Sequence, residues 1–151
     1  MNTLNSSDKA WARTLSIDIR PVAKGRHRFV SSGNGVRTYQ DPKTRAYERE
    51  LGFLLASNGP SVPLPGPIAV KIRFVMPRPQ RLSRKKDPEG LLWHSQKPDL
   101  DNLIKAVLDA MTKGRWWACD SQVVRIGADK VFCEKARRPS IEMEVKALGN
   151  V

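Results

Sequence analysis

The sequence predicts an α+β fold: a mostly antiparallel or mixed sheet of about four strands carrying two main helices. Three observations lead there. Ile68, Val70, Ile72, Phe74 and Met76 alternate with Ala69, Lys71, Arg73 and Val75, a period of two that marks a half-buried strand. Leu103, Ile104, Val107 and Met111 recur at helical spacing and share one face. The elements run strand, hairpin, helix, strand, basic loop, helix, strand, strand, and runs of this kind suggest an α+β domain with its two helices packed on the sheet.

In chain order, residues 1–12 are mostly polar and are expected to form a frayed tail. Leu15, Ile17 and Ile19 alternate with Ser16 and Asp18 as a first strand, stopped by Pro21. A basic stretch, Lys24-Gly25-Arg26-His27-Arg28, leads into a hairpin tipped by Asn34-Gly35. Asp41-Pro42 caps and starts a helix running to about Ser57, with Tyr47, Leu51, Leu54 and Leu55 as its apolar stripe. The strand at 68–76 follows and ends at Pro77. Residues 77–98 show no periodicity and carry Arg78, Arg81, Arg84, Lys85, Lys86 and Lys97 against Asp87 and Glu89. A structureless loop of that length is usually functional or disordered. The second helix spans about Asp101–Lys113, with Gly114 as its C-terminal stop. Strands over 123–132 and 141–147 complete the chain, and one domain accounts for all 151 residues.

Composition restricts the function. Lys and Arg total 27 and Asp and Glu 15, a net charge of +12, so the chain attracts polyanions, nucleic acid foremost. No apolar run is long enough to span a membrane, and residues 1–8 contain no apolar core of a secretory signal. Two cysteines make no disulfide framework, which suits a reducing cytoplasm. Cys119 and Cys133 are expected to be buried and His27 and His94 to be at the surface, without zinc-ligand spacing.

Against this basic background, four aspartates fall within 99–120: Asp99, Asp101, Asp109 and Asp120. Carboxylates beside a phosphodiester repel it unless a cation lies between them. Mg²⁺ suits that place, since it takes a few carboxylates and keeps waters and phosphate oxygens as its remaining ligands. At ~100° per residue, Lys105 lies roughly 40° and Asp109 roughly 80° around the helix from Asp101, all on the polar face. Asp99 and Asp101 can converge on one ion where the chain is extended. Structural readings stand beside these: Asp101 as an N-cap, Asp101 and Lys105 as a surface pair, Asp109 as a solvated residue. For Trp116 and Trp117 core packing is expected, while Trp93, in the basic loop, is as well suited to stacking on a base.

The run Lys97-Pro98-Asp99-Leu100-Asp101-Asn102-Leu103-Ile104-Lys105, continuing to Asp109 and followed by Asp120-Ser121-Gln122-Val123, resembles the RusA family of Holliday junction resolvases, endonucleases typical of phages and prophages. Pro21–Arg26 and Tyr39–Pro42 also look like that family, so the resemblance covers about Leu15 to Val145. It implies a RusA-like endonuclease domain in which Asp99, Asp101 and Asp120 bind the catalytic Mg²⁺ (Mn²⁺ as substitute) and Lys105 is the catalytic lysine. Asn102 and Asp109 match the pattern as supporting or structural residues. The resemblance further implies a homodimer that nicks two opposed strands of a four-way junction, with no small-molecule substrate. The expected DNA contacts are Lys24, Arg26, Arg28, Arg84, Lys85, Lys86, Lys97 and Lys130. Cys119 departs from the family, which often has a second acid there, and the 77–98 loop is long for it. Two rivals remain. Pro98-Asp99 with Glu144-Val145-Lys146 would suit a restriction-type PD-(D/E)xK nuclease, and the basic charge alone would suit a non-catalytic nucleic-acid-binding module.

Overall fold

The computed structural model describes residues 11–25 and 28–149. Arg26, His27 and the side chain of Arg28 lie outside the described residues, as do residues 1–10 of the expected tail. Seven strands and two helices follow in the order β1 (Ala12–Ile17), β2 (Arg28–Ser32), β3 (Gly35–Tyr39), α1 (Pro42–Asn58), β4 (Ile68–Met76), β5 (Leu92–Trp93), α2 (Leu100–Lys113), β6 (Val123–Phe132) and β7 (Ser140–Ala147). Five of these strands form one mixed sheet, ordered β1-β7-β4-β6-β5, and β2 and β3 form a separate hairpin. The fold is thus α+β as expected, with one strand more in the main sheet than the approximate four.

The parallel pair is β4 with β6, at the centre of the sheet. Parallel neighbours require a crossover connection, and α2 supplies it. On its other side β4 pairs antiparallel with β7, and β1 closes that edge. The first strand starts at Ala12, earlier than its apolar alternation suggests, because β7 continues the ladder to Lys146 opposite Ala12. Trp11 and Ala12 therefore belong to the fold rather than to a tail, and the Trp11 ring meets Trp116 edge-on at 6.0 Å.

One face of the sheet is apolar. Ile68, Val70, Ile72 and Phe74 of β4 and Ile141, Met143 and Val145 of β7 pack against Leu51 and Leu55 of α1 and Leu103, Val107 and Met111 of α2. Trp116 and Trp117 are fully buried, as their size favours, and their indole Nε1 atoms donate to Leu55 O and Thr112 Oγ1, each at 2.8 Å. Gly114 ends α2 for a different reason from the one expected. Its φ is −76°, and Arg115 takes the left-handed conformation at φ 60°. A Cβ on Gly114 would come within 3.1 Å of the Ala110 carbonyl oxygen at the end of α2, tighter than ordinary contact, and would just touch the Ala56 nitrogen of α1 at 3.5 Å.

Residues 77–98 are ordered, not structureless. Arg78 donates to the carbonyls of Leu82 (2.8 Å), Pro88 and Gly90 (2.9 Å), and Lys135 donates to those of Arg84 and Asp87, both at 2.7 Å. Two cations thus supply the donors that a backbone ladder would otherwise provide. The segment contains a 3-10 turn at Gln80–Leu82 and β5, and no hydrophobic period reveals either one.

Candidate active site

Pro98 precedes α2 and Asp99 occupies its N-cap position, at φ −69° and ψ 141°. Its carboxylate makes no capping hydrogen bond, so it projects from the helix start instead of closing it. The helix begins at Leu100, which places Asp101 inside the first turn rather than at the cap. The pair is therefore one extended and one helical residue, not two residues of one extended strand. Asp101 Oδ1 accepts from the Asn102 N–H at 2.9 Å. Asp99, Asp101 and Lys105 are exposed and take part in no ion pair among the described residues, the Asp101–Lys105 surface pair included.

The polar face of α2 is supported from one side. Lys24 forms an ion pair with Asp109, and the Lys24 N–H donates to the Asn102 carbonyl at 3.2 Å. Lys24, expected as a DNA contact, is thereby tied to the helix through Asp109. A second lysine acts from the sheet. The Lys130 ammonium donates to the carbonyls of Gln96 and Pro98, immediately before Asp99. Lys130, expected as a DNA contact, braces the chain that presents Asp99. No local sequence signal announces this, because β6 and the 94–98 segment meet only in the folded sheet.

Asp120 opens a 3-10 turn, Asp120–Gln122, and is exposed. Gln122 builds that turn: its Oε1 accepts from the Ala118 and Cys119 N–H groups at 3.0 and 3.1 Å, and its Nε2 donates to Leu64 O and Gly66 O at 2.9 and 3.0 Å. The sequence reading missed this role, although Gln122 lies in the Asp-Ser-Gln-Val motif. Cys119 is exposed, not buried as expected, and its Sγ lies 3.7 Å from Asp120 Oδ1.

The three aspartates do not converge within one chain. Asp99 and Asp101 stand at the start of α2. The turn carrying Asp120 packs near its end, where Trp117 bonds to Thr112. A helix of 14 residues separates the two places, about 20 Å at 1.5 Å per residue. Among the described residues no group of three or more acids, cysteines or histidines is placed to hold one metal ion. The donor set at Asp99 and Asp101 nevertheless fits a hard cation: two exposed, unpaired carboxylates and no soft ligand, which suits Mg²⁺ in its usual shared coordination.

Of the remaining expected contacts, Lys85, Lys86 and Lys97 are exposed and form no ion pair among the described residues, while Arg84 is engaged by Asp87 at 3.2 Å. Trp93 is 73% exposed beside them in sequence. His94, expected at the surface, packs on Phe132 with its ring centroid 4.3 Å away, and its Nδ1 is buried without a partner. Burial, and secondarily the charge of Lys130, hold its pKa below the usual value. Glu144 and Lys146 pair with each other at 2.8 Å and alternate with the core residues Met143 and Val145. They face away from α2 and its aspartates, which removes the restriction-type arrangement.

The family model for Endodeoxyribonuclease RusA matches residues 18–146, a span that includes Asp99, Asp101, Lys105 and Asp120. The chain belongs to the RusA family of endodeoxyribonucleases. It is 28% identical over 137 residues to the crossover junction endodeoxyribonuclease RusA of Escherichia coli strain K12, covering 91% of this chain and 98% of that one. An uncharacterized protein of Bacillus subtilis strain 168, YqaN, is 34% identical over 133 residues, 84% of this chain and 92% of its own. The crossover junction endodeoxyribonuclease of Lactococcus phage r1t is 49% identical over 53 residues, 35% of this chain and 38% of that protein. No helix among the described residues is long and apolar enough to cross a membrane.

Proposed function

We propose that this RusA-family protein resolves four-way DNA junctions in recombination and repair, as a Mg²⁺-dependent cytoplasmic homodimer that makes paired nicks. The observation that carries this reading is the start of α2: Asp99 at its N-cap and Asp101 and Lys105 on its polar face, all exposed and in no ion pair among the described residues, in a chain of net charge +12. Metal ions favour water deprotonation and stabilise charge on phosphate when carboxylates hold them. Asp99, Asp101 and Asp120 are the metal-binding residues in this proposal. Lys105, four residues on from Asp101 and one helical turn away, is placed to neutralise charge developing on the scissile phosphate. Asn102 and Asp109 support them through the segment containing Lys24. Lys85, Lys86 and Lys97 supply sequence-independent attraction for the DNA backbone, and the two-fold symmetry of a dimer mirrors that of the junction.

The test is incubation of the purified protein with a synthetic four-way junction and a linear duplex of matched sequence, with and without Mg²⁺. Symmetrical nicks in the junction alone, and only with the metal, are expected. Equal cutting of the duplex, or cutting in excess chelator, would overturn the proposal.

A further inference from the structure

Helices α1 and α2 run side by side in the same direction. Their starts are bridged by the segment before β2, where the Lys24 N–H donates to the Asn102 carbonyl and Gly25 adjoins Thr44. Their ends meet where Gly114 adjoins Ala56. Leu51 and Leu55 of α1 and Leu103, Val107 and Met111 of α2 face the core, and between the outer sides of the two helices runs a groove of about 270 Å³. Arg45 and Arg49 line it from α1 and Lys113 from α2. All three are exposed and form no ion pair among the described residues. Two acids also line the groove, of which Asp109 is paired with Lys24 and Glu48 accepts from the Gln40 amide at 3.2 Å. With Asp109 matched by Lys24, three cations stand against one carboxylate. Arg45 and Arg49 are one turn apart, and like charges at that spacing weaken a helix unless an anion lies against both.

Gly52, which lines the same groove, is an independent observation. It lies inside the 17-residue α1, away from either cap, where glycine weakens a helix relative to alanine. No packing within the chain requires it, since a Cβ built there meets no atom within 4 Å. A glycine in that setting keeps a surface clear for the close approach of a backbone from outside.

The groove is continuous with the candidate active site. Asp101, Lys105, Asp109 and Lys113 occupy successive i,i+4 positions and form one ridge along α2. The ridge starts beside Asp99 and ends at the groove, with Lys113 about 18 Å from Asp101 at 1.5 Å per residue. Nucleotides of one strand advance about 3.4 Å each along a duplex axis, so the groove lies roughly three to five nucleotides from a phosphate held at Asp101.

We propose that the α1–α2 groove holds the sugar–phosphate backbone of the junction arm leading away from the cut, with Arg45, Arg49 and Lys113 on its phosphates and Gly52 giving the strand its closest approach. Contacts of this kind fix the direction of a duplex without reading its sequence. The inference rests on the nuclease reading above for the place of the cut, but not for the phosphate contacts.

The test is binding of a synthetic four-way junction across a salt series, with Ca²⁺ in place of Mg²⁺. Arg45→Gln, Arg49→Gln and Lys113→Gln combined should lower the slope of log K against log salt by up to about 2.7, at about 0.9 for each lost phosphate contact. Gly52→Glu sets a carboxylate in the groove and should weaken binding about tenfold, whereas Gly52→Gln, of the same shape without the charge, should weaken it less. Neither should melt below the parent, because both replace a helix-interior glycine at an open position. An uncharged methylphosphonate roughly three to five nucleotides from the cut should weaken binding by the parent and not by the triple variant. A parental salt slope in the triple variant, or parental binding by Gly52→Glu, would overturn the proposal. So would a groove that serves a small anion alone: inorganic phosphate would then raise the melting temperature of the parent and not of the triple variant, while their salt slopes coincide. A parent that cuts no junction would remove the nuclease reading, with the salt slopes still deciding the groove.

Discussion

Replacing Lys130 by Met keeps the length of the side chain and deletes both hydrogen bonds to the 96–98 segment. Charge-assisted bonds contribute roughly 1.5–3 kcal/mol each when sheltered, and much less in water. The bond to Gln96 O is exposed and that to Pro98 O partly buried, so the pair together stabilises the segment by about 2 kcal/mol. For a chain of this size that loss lowers the melting temperature by roughly 4–8 °C. If most of it appears as misplacement of Asp99, about 1.4 kcal/mol, half-saturation of cleavage by Mg²⁺ rises about tenfold. The assay is a Mg²⁺ titration of junction cleavage beside a thermal melt and a salt titration of junction binding. The salt titration separates positioning from direct contact. A lysine on phosphate would lower the slope of log K against log salt by about 0.9, whereas a positioning lysine leaves it unchanged. A reduced salt slope with unaltered metal dependence would refute the positioning argument.

Asp101→Asn and Asp120→Asn should each abolish cleavage while leaving junction binding intact, whereas Glu144→Gln and Lys146→Ala should cut normally because they lie on the opposite face of the sheet; cleavage rates on one junction check all four. Lys85→Ala combined with Lys86→Ala should reduce the salt slope of binding by up to about 1.8, at about 0.9 for each lost phosphate contact, with the cut positions unchanged. His94 resists protonation in the folded chain, so below its ordinary value of 6.5 the unfolded state binds more protons than the folded one. The stability contributed by neutral His94 is complete above pH 6.5 and is lost as pH falls through the lower folded value. Urea midpoints at pH 7.5 and 5 should therefore differ less in His94→Leu than in the parent. Lys130→Met should raise the His94 pKa, as an NMR titration would read, because the lysine charge helps to depress it.

Local periodicity by itself determined most of the elements. The alternation over Ile68–Met76 and the apolar stripe of α2 each depend only on which side chains face the core, and Asp41-Pro42 sets the start of α1 within a few residues of chain. The acidic residues were equally legible, because four aspartates in a chain of net charge +12 stand out without any fold. Pairings between distant segments were decided only by tertiary structure. The parallel partnership of β4 and β6, the bracing of the 77–98 loop by Arg78 and Lys135, and the engagement of Lys24 and Lys130 all join residues far apart in sequence. A lysine reads the same in sequence whether its ammonium meets phosphate, a carboxylate or two backbone carbonyls. The resemblance named Asp99, Asp101 and Asp120 as metal ligands, but only the tertiary structure decided that Asp99 and Asp101 stand at the start of α2 while the turn carrying Asp120 follows its end, since a helix converts 14 residues into a rigid length of about 20 Å.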